Sequence, residues 1–316
     1  MSTKYPSLNL VGGMLAAELV DDIAEGVADG QRPRDFGLPE KARLFDEIAA
    51  AWSDARGYWM TFRRRLEGLP AGETAVTLTR NQWIGPLLGL LGYELARQER
   101  AEEVDGQSYA ISHRADPANP SPPVHVVGAR QSLDKRPESG RPRLPPHSLV
   151  QEYLNRTEHL WGLVTNGLTL RILRDSKLIR RQAYLEFDLR TMFEGEHFAD
   201  FALLYRIAHR SRLPRASEDP AKCWLERWYR QTEEQGGRVR EKLRDGVEQA
   251  IQLLANGLLN HSRNAELRAK IQRGELRASG LYQQLLRLIY RLLFLMVTEE
   301  RRLLCQNPIY RDYYSV

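Results

Sequence analysis

The chain has 316 residues, 42% hydrophobic and 28% charged, with 46 Lys+Arg against 41 Asp+Glu. That length can bury a sizeable core in one large or two modest domains, and the composition is that of an ordinary soluble protein. Its two cysteines, Cys223 and Cys305, are too few for a disulfide framework and lack the company a zinc site needs, so they read as buried thiols in a reducing cytoplasm. The charge is uneven: residues 1–110 hold 12 Lys+Arg against 17 Asp+Glu, which leaves 34 against 24 for residues 111–316 and places any basic partner surface in the later two-thirds.

Residues 1–38 read as a helical extension ending in the turn-rich GQRPRDFGLPE; acids at Glu18, Asp21 and Asp22 argue against a secretory leader. From Pro39 to Leu66 the apolar spacing predicts a helix, with Leu44, Ile48, Trp52 and Tyr58 on one broad face. A short strand over Ala75 to Thr79 and a leucine-rich core helix over Gln82 to Arg97 follow. Ser108 to Ser112 and Val124 to Val127 are strand candidates, set among proline-rich loops that run to Pro146. A helix from Leu149 to about Arg156 leads into the most informative stretch, HLWGLVTNGLTLRILRDSKLIRRQAYLEFDLRTMF. It reads as three strands, Trp161 to Thr165, Leu168 to Leu173 and Arg181 to Phe187, with Asn166-Gly167 as the hairpin turn.

Arg171, Arg174, Lys177, Arg180 and Arg181 all fall on or beside this ribbon. Five cations in eleven residues suit a surface that tracks phosphates, and Arg206, His209, Arg210, Arg212 and Arg215 extend the set. A solvated, salt-bridged face is the competing reading of the same residues. After Pro214 the pattern turns helical, over Ala221 to Glu234, Arg238 to Leu254, Asn264 to Arg273 and Gly280 to Cys305, with Asn256-Gly257 and Gly274 as stops. The last of these, LYQQLLRLIYRLLFLMVTEERRLL, is dense enough in apolar residues to predict burial on nearly all sides. Its core, Leu285 to Val297, is interrupted by Arg287 and Arg291 and is too short for a bilayer of roughly 30 Å, so no membrane partner is expected.

The blocks LVQEYLNRTEHLWGLVTNGLTLRILRDS, QAYLEFDLRTMFEGEHFADFALLYRIAHRSRLP and WLERWYRQTEEQGGRVREKLRDGVEQAI resemble, in length and order, the region before the methyltransferase domain of type IIG restriction-modification proteins and DISARM-like phage-defence methylases. The resemblance runs from about Asn81 to the C-terminus. It implies an α+β, nuclease-like mixed sheet with helices over residues 39–215 and an all-helical connector over 216–316. It also implies double-stranded DNA as a partner, together with an adenine methyltransferase domain or other defence-system subunits. In the resembled proteins the methyltransferase begins after a segment like EERRLLCQNPIYRDYYSV, so the chain is expected to be an N-terminal fragment, a split-gene product or a truncated reading frame; S-adenosylmethionine would belong to that missing domain.

The order of elements in the first portion resembles a PD-(D/E)XK nuclease core, whose two carboxylates hold Mg²⁺ while a lysine positions water. In VHVVGAR the glutamate and lysine positions fall on Gly128 and Arg130, neither of which can do that job. Asp105, Asp116 and Asp134 are the remaining candidate ligands. Asn307-Pro308-Ile309-Tyr310 mimics the base-gripping motif of adenine methyltransferases but lacks its preceding strand and glycine loop. The chain is therefore expected to carry no catalytic or metal site and no cofactor of its own, and to bind DNA through Arg171, Arg174, Lys177, Arg180, Arg181, Arg210 and Arg212. A Mg²⁺-dependent endonuclease subunit with a divergent site and a protein-interaction scaffold stay open as alternatives.

Overall fold

The computed structural model of the chain describes residues 4–70, 72–136, 143–176, 182–216, 218–300, 303–304 and 308–314, in two compact units, Met1–Glu233 and Glu234–Val316. The first unit is α+β. Its seven-stranded mixed sheet comprises β1 (Leu8–Val11), β2 (Ala96–Arg97), β5 (His113–Arg114), β6 (Pro123–Val126), β7 (Trp161–Thr165), β8 (Thr169–Arg174) and β9 (Tyr184–Asp188), in the order β1-β9-β8-β7-β6-β5-β2. A separate hairpin pairs β3 (Glu102–Val104) with β4 (Gln107–Tyr109). Every pairing is antiparallel except β6 with β7, which the crossover helix α5 (Pro146–Arg156) makes parallel.

Helices cover both faces. On one lie α1 (Ala17–Glu25), α2 (Leu44–Glu67), α3 (Val76–Thr79), α4 (Gly85–Leu90), α6 (Leu189–Glu194) and α7 (Phe198–Ala208), around Trp59, Phe62, Trp83, Leu163, Ile172 and Phe187. On the other, α5 packs Val150, Tyr153 and Leu154 onto Val164 and Leu173. The continuous apolar run of β7 follows from this double cover: all five of its residues are buried.

Several sequence expectations shift. Residues 8–11 are an edge strand on β9 rather than part of a helical extension, so the N-terminal segment belongs to the first unit, and that unit ends at Glu233 rather than at 215. Buried Asp200 fixes the segment by accepting both the amide and the hydroxyl of Ser7, at 2.8 and 2.5 Å. Val76–Thr79, expected as part of a strand from Ala75, is helical and Ala75 caps it at φ +63°; the expected helix from Gln82 breaks into a π turn (Arg80–Ile84) followed by α4, leaving Ala96–Arg97 to the sheet. The hairpin turn centres on Gly167 and Leu168, one residue later than the Asn-Gly pattern suggests. The Asn166 amide bonds the Thr169 carbonyl, its Oδ1 accepts from the Leu168 and Thr169 amides, and Gly167 takes φ +82°.

Helix α8 (Trp224–Asn260) runs without the expected breaks near 235 and 256. In the second unit it is followed by α9 (Ala265–Gln272), α10 (Ala278–Glu300) and α11 (Pro308–Tyr313). Ile251, Leu285 and Ile289 form a small core there. Helix α10 is not buried on all sides: Tyr290, Phe294 and Met296 are exposed, because the unit's few helices give it a partner on one face only. Among the described residues no helix is long and apolar enough to cross a membrane.

Where α8 begins, Glu226 is 1% exposed. Arg174 of β8 donates from Nε and Nη2 to its two carboxylate oxygens, 2.9 Å each, and the Trp161 indole donates at 3.2 Å. Removing one partner of such a pair leaves a desolvated charge behind. Glu226→Ala should therefore cost roughly 3–5 kcal/mol in urea denaturation, whereas Arg230→Ala, which removes only the exposed second guanidinium on Glu226, should change the midpoint little.

Candidate nucleic-acid interface

The ribbon cations expected to meet phosphate are held inside the first unit wherever they are described; Lys177, Arg180 and Arg181 lie outside the described residues. Arg171 is 7% exposed and bonds Asp134 through both terminal nitrogens at 2.6 and 2.8 Å, Glu186 through Nε at 2.6 Å, and stacks on Tyr184. Arg174 is committed to Glu226. Arg210 pairs with Asp116. Arg212, fully buried, caps the carbonyls of Gly30 and Asp35 at 2.7 and 2.8 Å and lies 3.9 Å over the Phe36 ring; burial pulls its guanidinium down to about 9. This corrects the assignment of all four to an open phosphate surface. For Arg171 and Arg174 the physical reason is the position of β8, an inner strand with both faces covered; Arg210 and Arg212 lie in the buried turn that follows α7. In both places a cation persists only where a carboxylate or backbone carbonyls receive its hydrogen bonds.

The positions a nuclease would need are also structural. A Cβ at Gly128 would drive into the carbonyl oxygen of Thr74, so no glutamate fits there. Arg130 donates to the carbonyls of Leu66, Leu69, Pro70 and Glu73, closing the end of α2. Asp116 holds Arg210, Asp134 holds Arg171, and Asp105 sits in the β3–β4 turn at φ +51°. Among the described residues no group of three His, Cys, Asp or Glu could hold a metal ion.

A different basic cluster lies at the β2 side of the sheet. Arg97 of β2 pairs across strands with His113 of β5, which pairs in turn with Val124, beside His125 of β6. Arg80 reaches the same place from the π turn, which the Gly85 amide closes on the Arg80 carbonyl. Burial, then Arg80 and Arg97, push the His113 imidazole down to about 4; burial, then Arg80 and His113, do the same to His125. Arg80 itself is lowered by burial and by Arg97. The Arg80 Nε and His125 Nδ1 atoms are buried without a hydrogen-bond partner. No described carboxylate forms an ion pair with Arg80 or Arg97, in contrast to Arg171, Arg174 and Arg210.

No family model, curated protein or solved structure matches this chain. The chemistry of the cluster therefore stands on its geometry. Two guanidinium groups without a counter-charge suit an oxyanion, which would accept from Arg80 and Arg97 and from one imidazole N–H; the register sets His113 and His125 on opposite faces of the sheet, so only one of the two can serve it. Sequence reasoning missed the set because its members are spread over 46 positions and Arg97 stands in the mixed-charge stretch ARQERAEEVD, which reads as a solvated face.

Stability should report the two histidines. With folded values near 4 against an ordinary 6.5, the unfolded chain binds more protons between these limits. Their contribution is complete above pH 6.5 and is lost as pH falls toward 4. Urea midpoints measured from pH 7 to pH 4 should decline over that interval, and a His113→Gln/His125→Gln double variant should show a shallower decline.

Proposed function

We propose that this chain is a nuclease-like but non-catalytic module that holds duplex DNA by its phosphates and positions an adenine-specific methyltransferase of a restriction-modification or phage-defence system. The observation that supports DNA contact is the acid-free cluster of Arg80, Arg97, His113 and His125. A partly desolvated guanidinium without a carboxylate is unfavourable alone and is relieved by a phosphate oxygen. Of the cluster, His125 sits on β6, just before the Gly128 and Arg130 positions where a nuclease would carry its glutamate and lysine, and Arg97 is exposed to solvent. Structural roles for Gly128, Arg130, Asp105, Asp116 and Asp134 favour binding over cleavage. Such contacts supply affinity without sequence information, so target choice would lie with the partner. The methyltransferase, its S-adenosylmethionine and the defence setting rest on the resemblance of the LVQEYLNRTEHLWGLVTNGLTLRILRDS block.

A scaffold role for the second unit is a second reading, favoured by one observation: Tyr290, Phe294 and Val297 of α10 are 59%, 69% and 45% exposed at helical spacing.

The DNA reading is tested by duplex affinity over roughly 50–200 mM salt. Each phosphate contact contributes a slope of about 0.9 in log K against log salt, so Arg80→Gln/Arg97→Gln should bind more weakly with a slope shallower by about two. An unchanged slope in this variant, or no duplex binding by the wild type, would reject it. Arg171→Glu is the wrong probe, because it breaks an internal pair and should lower stability instead.

A further inference from the structure

Two cavities of the first unit adjoin and share Arg215 and Glu218 in their walls. One, of about 300 Å³, is bounded by Tyr153, His159, Pro120, Pro122 and Pro214. Its Tyr153 and His159 rings stack with centroids 5.8 Å apart and an interplanar angle of 24°. Burial, reinforced by Arg114 and opposed by Glu102, draws His159 down to about 4, so at neutral pH it offers one donor and one acceptor without charge. The other cavity, of about 550 Å³, carries Arg34, Arg215, Lys222 and Arg227 around Trp224, with the Arg227 guanidinium 4.8 Å from the indole centroid. None of these four cations is in an ion pair with a described residue, although three acids share the wall. Two of those acids are turned to the backbone: Asp35 accepts from the Arg32 amide at 3.0 Å and Asp219 from the Ala221 amide at 2.9 Å. Only Glu218, at the junction, has no such bond.

An arm with a flat imidazole and prolines, whose wall also carries Glu102, Glu158 and Glu218 as acceptors for base N–H groups, joined to an arm with four cations outside any ion pair, matches a ligand that is planar and aromatic at one end and multiply anionic at the other. We propose that this double groove binds a nucleotide, its base against the partly exposed His159 ring, which fully buried Tyr153 backs from the other side, and its phosphate among Arg34, Arg215, Lys222 and Arg227. The assignment is independent of the Arg80 cluster, which shares none of these residues. A free mononucleotide and an unpaired nucleotide of a single strand present the same chemistry to the groove. Stacking in the first arm is tolerant of base identity, since every base has a π face.

Calorimetric titration of the full chain with adenosine 5′-monophosphate, adenosine, inorganic phosphate and a short single-stranded oligodeoxyadenylate tests this. The monophosphate should bind at least about tenfold more tightly than adenosine or phosphate alone, because both arms must be filled. Arg215→Glu and Lys222→Glu, at exposed positions, should each weaken it by at least about tenfold with an unchanged unfolding midpoint. An oligonucleotide that binds more tightly than the monophosphate identifies the ligand as part of a strand; equal or weaker binding identifies a free nucleotide. Monophosphate that binds no better than phosphate, or affinity unaffected by both variants, overturns the proposal. Arg80→Gln/Arg97→Gln should leave monophosphate binding intact while Arg215→Glu leaves the duplex salt slope intact, so failure at one site is not failure at the other.

Discussion

Buried guanidinium groups organise the first unit, and the Arg174–Glu226 pair is the one on which most else depends. Glu226 is nearly without solvent contact, so its charge persists there only because β8 supplies a bidentate partner and β7 an indole donor. The pair thereby ties the first turn of α8 to the middle of the sheet. Arg171 does the same for the 132–134 loop and β9, Arg210 for the loop after β5, and Arg212 for the N-terminal segment. Segments far apart in sequence are joined by charge-assisted hydrogen bonds that an apolar core alone would not orient.

This explains what the sequence disclosed and what it concealed. The two inner strands Trp161–Thr165 and Thr169–Arg174 were legible because their apolar runs and the Asn-Gly-Leu turn are local signals. The crossover helix Pro146–Arg156 and the long helix Leu44–Glu67 were legible for the same reason. The arginines were misread because a cation's partner is a tertiary fact: Arg171 and Asp134 are 37 positions apart, Arg174 and Glu226 are 52, and Arg210 and Asp116 are 94. β1 was missed because a four-residue strand carries too little periodicity to outweigh the helical residues that follow. Helix α10 was overcalled as buried because apolar density predicts a need for cover without supplying the neighbours.

Gly128 and Arg130, where a nuclease motif would need a glutamate and a lysine, are held by the fold itself. At Gly128 the chain passes so close to Thr74 that any side chain is excluded, and at Arg130 the side chain is occupied with the carbonyls ending α2. Both residues do structural work that a metal-binding glutamate and a lysine could not do in the same place. Placing a glutamate and a lysine there would therefore require moving the backbone at Thr74, not merely exchanging two residues.

The sheet is bounded by strands that are too short to recruit another chain. β1 contributes four residues on one side and β2 only two on the other. A long, flat edge would present a ladder of unsatisfied amides and carbonyls, the usual template for intermolecular strand addition. With β2 ending at Arg97, the exposed rim is reduced to a charged stub, which guards against polymerisation through that side. The same brevity leaves Arg97 exposed at the end of the strand while His113, its register partner, stays buried, so a guarded edge and a charge held at the surface come from one truncated strand.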